Sequence, residues 1–306
     1  MEFCLKTAGL VAAPFTPMLA NGKLNLAAVG LYAEYLHRKH VVGAFICGTT
    51  GEGMSLTLAE RMQLAEKWVA CAPVDLKIFV HVGHVSLADS CALAKHAADT
   101  GAGSIATMAP FFFKPDGVAG LADWCEQIAA AAPELPFYYY HIPSMTGFNI
   151  AVSDFLEIAA PRIPNLAGIK YTFEDLNDFE RCLKFDNGRY DVLFGRDELL
   201  LSALRFGSYG AVGSTYNFAA PLYYDLIAAY RRGDLVEAEK LQAVAVAMID
   251  ALVNSGAAPT AAFKWLMSRA GVDCGPARRP LFPPTPEQIE KLNVALEGTG
   301  ALKWIL

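Results

Sequence analysis

Eight short apolar runs, at 9–13, 42–47, 76–82, 104–108, 136–140, 166–171, 190–194 and 210–213, are separated by stretches with helical spacing. The runs are rich in β-branched and aromatic residues and show little polar alternation. That pattern belongs to parallel strands buried on both faces. Helical signals lie between them at 25–37, 57–69, 87–100, 153–159, 176–182 and 198–206. Thr57 followed by Glu60 has the spacing of a capping box, and Gly101 follows its helix as a C-cap. Eight such runs, with helical patterns between most of them, predict a (β/α)8 TIM barrel. An open doubly wound sheet is the alternative, weakened because no GxGxxG turn follows the first run.

From Pro221 onward the strand signal stops. Helical patterns occupy 223–230, 235–254, 259–270 and 286–296, the first closing the barrel and the others forming a C-terminal helical extension. The expected organisation is a catalytic barrel over 1–232 and the extension over 233–306. With 54% apolar residues and 18% charged ones, the chain can bury a large core. A net charge of −6 without a basic block argues against nucleic acid and anionic membranes as partners. No apolar stretch is long enough to span a bilayer. The opening residues, with Glu2 and a short apolar run, do not read as a signal peptide. Seven cysteines at 4, 47, 71, 91, 125, 182 and 274 show no CxxC or zinc spacing. They read as reduced thiols of a cytoplasmic protein.

In such a barrel the reactive groups follow the C-terminal ends of the strands. Lys170 stands in the sixth run, Leu166-Ala167-Gly168-Ile169-Lys170-Tyr171. Lysine is rarely buried without employment, and a desolvated amine is a nucleophile toward carbonyl carbon. A lysine snorkelling from the strand end is the plainer alternative. Tyr140, closing the fifth run, supplies a phenol able to move a proton; Tyr138 and Tyr139 read as core. After the second run, Gly48-Thr49-Thr50-Gly51-Glu52-Gly53 offers hydroxyls and converging backbone amides suited to a carboxylate, or simply a tight turn. Thr172 follows the sixth run and Gly195 the seventh; the acidic and hydroxyl groups of Asp197, Glu198 and Ser214 at the last two strand ends can bind a polyol, or Asp197 and Glu198 can instead cap a helix. His81 and His84 lack an evident third metal ligand.

The motifs GTTGE at 48–52, YHIPSMTG at 140–147, GIK at 168–170 and GSTYN at 213–217 occur in one order. In them the chain resembles the superfamily of pyruvate-dependent class I aldolases that contains N-acetylneuraminate lyase and dihydrodipicolinate synthase. Met145 replaces the arginine with which the synthases grip a second carboxylate. Tyr-His-Ile-Pro, Asp197-Glu198 and GSTYN resemble the sialic acid lyases instead. The resemblance implies an imine on Lys170, proton transfer by Tyr140, and a carboxylate held by Thr49 and Thr50. It also implies sugar contacts from Thr172, Gly195, Asp197, Glu198 and Ser214, no cofactor or metal, and a homotetramer. Related enzymes often donate a tyrosine across subunits after strand four; here Phe112 stands in that segment and has no hydroxyl. Three other readings remain: another 2-keto-3-deoxy sugar acid as substrate, a metal-dependent aldolase, and a non-catalytic binding protein.

Overall fold

The computed structural model describes residues 6–306. Glu2 and Cys4, and with them the expectation about a signal peptide, lie outside the described residues. Eight parallel strands run β1 Gly9–Ala12, β2 Gly43–Ile46, β3 Lys77–His81, β4 Ser104–Met108, β5 Phe137–His141, β6 Leu166–Tyr171, β7 Asp191–Phe194 and β8 Gly210–Gly213. Each pairs with the next, and β1 pairs with β8, so the sheet closes into a barrel without edges. The fold is the (β/α)8 barrel expected, with every strand within two residues of its sequence assignment at each end.

Closure explains why the runs looked continuously apolar. In β5, Tyr138 and Tyr140 turn into the barrel and pack with Phe45, Phe79, Leu193 and Val212. Phe137 and Tyr139 turn outward to the helices. Both faces are therefore dry, and the strand carries no polar alternation. The lower interior ends in a polar floor, where Tyr138 Oη donates to Asp191 Oδ2 at 3.0 Å. The Lys77 ammonium lies 4.6 Å from the Phe79 ring centre beside them. Above the floor, Phe79 and Val212 have no exposure at all, so the barrel is filled.

The helices are α1 Ala28–Arg38, α2 Leu58–Cys71, α3 Leu87–Thr100, α4 Gly117–Ala130, α5 Pro143–Thr146, α6 Val152–Ala159, α7 Leu176–Lys184, α8 Leu200–Arg205 and α9 Tyr216–Arg231. The extension adds α10 Leu235–Val253, α11 Pro259–Arg269 and α12 Pro286–Thr299. Thr57 and Glu60 form the expected capping box on α2, and Gly101 ends α3 in the left-handed conformation at φ 84°. Helix α4 has no counterpart among the expected helices; its first turns contain Gly117 and Gly120. Helix α9 starts seven residues earlier than the pattern suggested. Pro221 interrupts the periodicity, yet the helix passes it with only Ala219 leaving helical geometry. Helices α10, α11 and α12 share the outer core with the barrel through Leu241, Met248, Leu252, Leu266, Leu292 and Leu296. No helix among the described residues is long and apolar enough to cross a membrane.

Candidate active site

At the C-terminal mouth of the barrel lies a cavity of about 290 Å³. All nine sequence-derived candidates line it: Lys170, Tyr140, Thr49, Thr50, Thr172, Gly195, Asp197, Glu198 and Ser214. They come from five strand ends, which sequence separation alone would never bring together.

Lys170 alternates inward on β6, since Ile169 and Tyr171 face the helices. Its side chain is 4% exposed. The ammonium sits 3.8 Å from the Phe45 ring centre and 4.1 Å from that of Tyr140. Burial pulls its pKa from 10.5 down to about 7, against the opposing charge of Asp197. An amine so placed is unprotonated in a large fraction of molecules near neutrality. Tyr140 Oη stands 3.5 Å from Thr49 Oγ1, at the limit of a hydrogen bond. Burial pushes the phenol up to about 12; the hydroxyls of Thr49 and Thr172 oppose this. Tyr140 therefore holds its proton at neutral pH and can pass one on only by receiving another. His141, its neighbour in Tyr-His-Ile-Pro, points away from the cavity and packs between Tyr171 and Phe173.

The loop after β2 enters with Cys47 at φ 57° and leaves with Glu52 at φ 55°. Two left-handed residues turn the chain back on itself, with Glu52 N donating to Thr49 O and Gly53 N to Gly48 O, both at 3.0 Å. These internal bonds use the amides of Glu52 and Gly53, not those of Thr49 and Thr50. The two threonines line the cavity.

Asp197 does not cap α8. It is 5% exposed and accepts from Thr215 N at 2.9 Å and Thr215 Oγ1 at 2.6 Å. Burial raises its pKa to about 6, opposed by the Thr215 hydrogen bonds. A Cβ on Gly213 would come within 1.7 Å of Asp197 Oδ1, so glycine there makes room for the carboxylate. Gly195 has the same function toward Thr172, whose Oγ1 lies 2.0 Å from where a Cβ would be. Glu198 is met by Arg196 Nε at 2.8 Å, and Arg196 Nη1 also reaches Glu174 at 3.2 Å.

Within GSTYN, only Ser214 and Thr215 reach the cavity beyond the strand end. Asn217 instead donates to Ala13 O at 2.7 Å and accepts from Tyr32 Oη at 2.6 Å, pinning α9 to β1 and α1. The wall also holds residues that were not among the candidates, including Thr215, Ile249 of α10 and Phe263 of α11. Thr215 lay inside a quoted motif. Ile249 and Phe263 carry no local signal, because the packing of the extension decides where they point. Phe112 is 73% exposed and edges against Phe113 at 4.9 Å, outside its own cavity. His81 Nδ1 lies 3.1 Å from Cys47 O, and His84 Nδ1 accepts from Ser86 N at 3.1 Å. Among the described residues no three His, Cys, Asp or Glu side chains cluster as metal ligands.

A lysine amine between two aromatic rings, a buried phenol, two threonines and two carboxylates share one cavity at the mouth of a (β/α)8 barrel. The chain belongs to the dihydrodipicolinate synthetase family, whose profile matches residues 6–299. Within that class its relatives include N-acetylneuraminate lyase A of Xenopus laevis, 44% identical over 277 residues, which are 90% of each chain. N-acetylneuraminate lyase of Rattus norvegicus is 42% identical over 304 residues, covering 98% of this chain and 94% of the rat protein. Among solved structures, Proteus mirabilis N-acetylneuraminate lyase superposes with a TM-score of 0.93 at 39% identity. That match covers 97% of this chain and all of the bacterial one.

Proposed function

We propose that this protein is a class I aldolase that reversibly cleaves N-acetylneuraminate into N-acetylmannosamine and pyruvate. The observation that carries the reading is Lys170, an amine brought to a pKa of about 7 by burial between two aromatic rings at the inner end of the cavity. Lyase relatives aligned over nearly the whole chain supply the substrate class.

The steps follow from the groups present. Thr49 and Thr50 bind the carboxylate of the open-chain sugar acid. The neutral Lys170 amine attacks carbon 2, and loss of water leaves a protonated imine that accepts electrons. Tyr140 takes the proton of the carbon-4 hydroxyl while passing its own to the substrate carboxylate or a water. The carbon 3–carbon 4 bond breaks; its electron pair moves into the imine, giving an enamine and releasing the aldehyde sugar. Protonation at carbon 3 restores the imine, and water then frees pyruvate and Lys170. Thr172, Gly195, Asp197, Glu198 and Ser214 line the space that the sugar portion would occupy. The sequence needs neither cofactor nor metal, since the imine is itself the electron sink.

The same reading carries a cytoplasmic homotetramer with small-molecule partners only. Phe112 and Phe113, at 73% and 84% exposure, support a contact between copies. The packing role of an aromatic after β4 survives in such a contact; a proton relay by that residue does not.

The test is pyruvate release from N-acetylneuraminate by purified protein with chelator present, together with borohydride trapping by pyruvate. Stoichiometric N-acetylmannosamine and a mass added to the Lys170 peptide are expected. An unmodified Lys170 peptide under saturating pyruvate would refute the imine. Trapping without cleavage of this sugar would move the substrate to another 2-keto-3-deoxy acid.

A further inference from the structure

One ammonium in the extension reaches the candidate carboxylate loop from 212 positions away in sequence. Lys264 of α11 is 2% exposed, and its three protons have three acceptors: Glu52 Oε1 at 2.8 Å, Thr16 O at 2.9 Å and Pro276 O at 2.8 Å. The second oxygen of Glu52 accepts from Arg278 N at 2.6 Å. Neither partner is left with an unused polar atom, and both are withdrawn from water. Three loops therefore meet at one nitrogen: the loop after β1, the loop after β2 and the loop after α11.

Stability alone is a poor reason for such a pair. Withdrawing two charges from water costs about what their attraction returns, and apolar replacements are often neutral. What the pair does supply is position. Glu52 is the left-handed residue at which the loop turns back, and its amide closes the turn on Thr49. Thr16 adds a second tie from the same loop that Lys264 grips, donating to Gly51 O at 2.5 Å. On the far side, Arg278 grips Glu60 with two bonds of 2.7 Å and Gly22 O with another. Phe263, next to Lys264 on α11, lines the reaction cavity itself. Helix α11 thus touches the site twice, once by its wall and once through the turn that presents the threonines.

We infer that Lys264 is a positioning residue: through Glu52 it fixes Thr49 and Thr50 at the place where they meet the carboxylate of a 2-oxo acid. The inference rests on the imine reading of Lys170 given above. A displacement of the loop by about 1 Å is of the size that costs on the order of a hundredfold in a positioned reaction. The cost falls on ligands that have a carboxylate and spares those that lack one.

The experiment compares borohydride trapping of Lys170 by pyruvate and by acetaldehyde in full-length wild type and Lys264→Met, followed by peptide mass. In the variant, the pyruvate concentration for half-saturation rises at least about tenfold, while acetaldehyde labels as in wild type. Unchanged half-saturation by pyruvate overturns the inference. So does an equal loss for both carbonyl compounds, which would mark a general structural role. Should Lys264→Met yield no folded protein, Glu52→Gln, which keeps the side-chain volume, is read by the same comparison. A wild type that pyruvate fails to label overturns the imine reading itself, and this inference with it.

Discussion

Replacing Lys170 by methionine should make the protein more stable while abolishing imine formation. Each tenfold change in proton affinity is about 1.4 kcal/mol. The depression from 10.5 to about 7 thus means that the folded chain carries the Lys170 ammonium at a cost of about 5 kcal/mol. The sign follows from proton counts. Below pH 7 the lysine is charged in both folded and unfolded chains, and the whole cost is present. Between about 7 and 10.5 the folded chain releases its proton first, so the cost shrinks with rising pH. Above 10.5 both are neutral and the cost is gone. At pH 9 about 2 kcal/mol remains. The Phe45 and Tyr140 ring faces attract the ammonium. Such contacts are worth about 0.5–2 kcal/mol and trim the gain accordingly. Methionine fills nearly the same volume without a charge, so no large cavity opens. The assay is denaturant unfolding of wild type and Lys170→Met at pH 6 and pH 9. A gain of about 3–5 kcal/mol at pH 6 that falls toward pH 9 is expected. A variant no more stable than wild type, or a difference independent of pH, would refute the reasoning that burial of a charge sets the reactivity of this amine.

Three further outcomes follow from the same geometry. Tyr140→Phe should still be trapped by pyruvate and borohydride but lose cleavage by about 10²–10⁴; near-normal turnover would remove the phenol from the proton path. Asp197→Asn deletes the negative charge that holds the Lys170 pKa up. The pH midpoint of pyruvate trapping should therefore move below about 7, and an upward shift would contradict the assignment. Gly195→Ala puts a methyl 2.0 Å from Thr172 Oγ1. It should raise KM for the sugar acid more than the half-saturation for pyruvate, and an equal effect on both would argue that the sugar wall was not what moved.

The barrel was legible because every strand carried its own signal. Runs such as Phe137–His141 are dry on both faces, and that leaves a mark in the local composition. Lys170 and Tyr140 were legible for the complementary reason: each is a polar end to an apolar run, and inward alternation brings both to one cavity. Helix α4 was not legible, since Gly117 and Gly120 in its first turns weaken the helical signal. The start of α9 was hidden by Pro221, which reads locally as a stop although the helix tolerates it. Asp197 was found as a residue, but its partner Thr215 is 18 positions away and the bond is tertiary. Ile249, Phe263 and Lys264 lie further beyond reach. Their positions depend on how α10 and α11 cross the barrel mouth, and no neighbour in sequence records that crossing. Whole-motif matching also joined unlike residues: in GSTYN, Ser214 faces the cavity while Asn217 is a structural pin.

The filled interior and its floor of Tyr138, Asp191 and Lys77 leave the barrel blind at one end. Reactants and products must then share a single doorway. On the proposed imine reading, the fragment attached to Lys170 occupies the inner berth, and the fragment set free lies between it and the exit. Departure is consequently ordered, sugar first and keto acid last. In the reverse direction the keto acid must board first, and a sugar arriving early can only block the way.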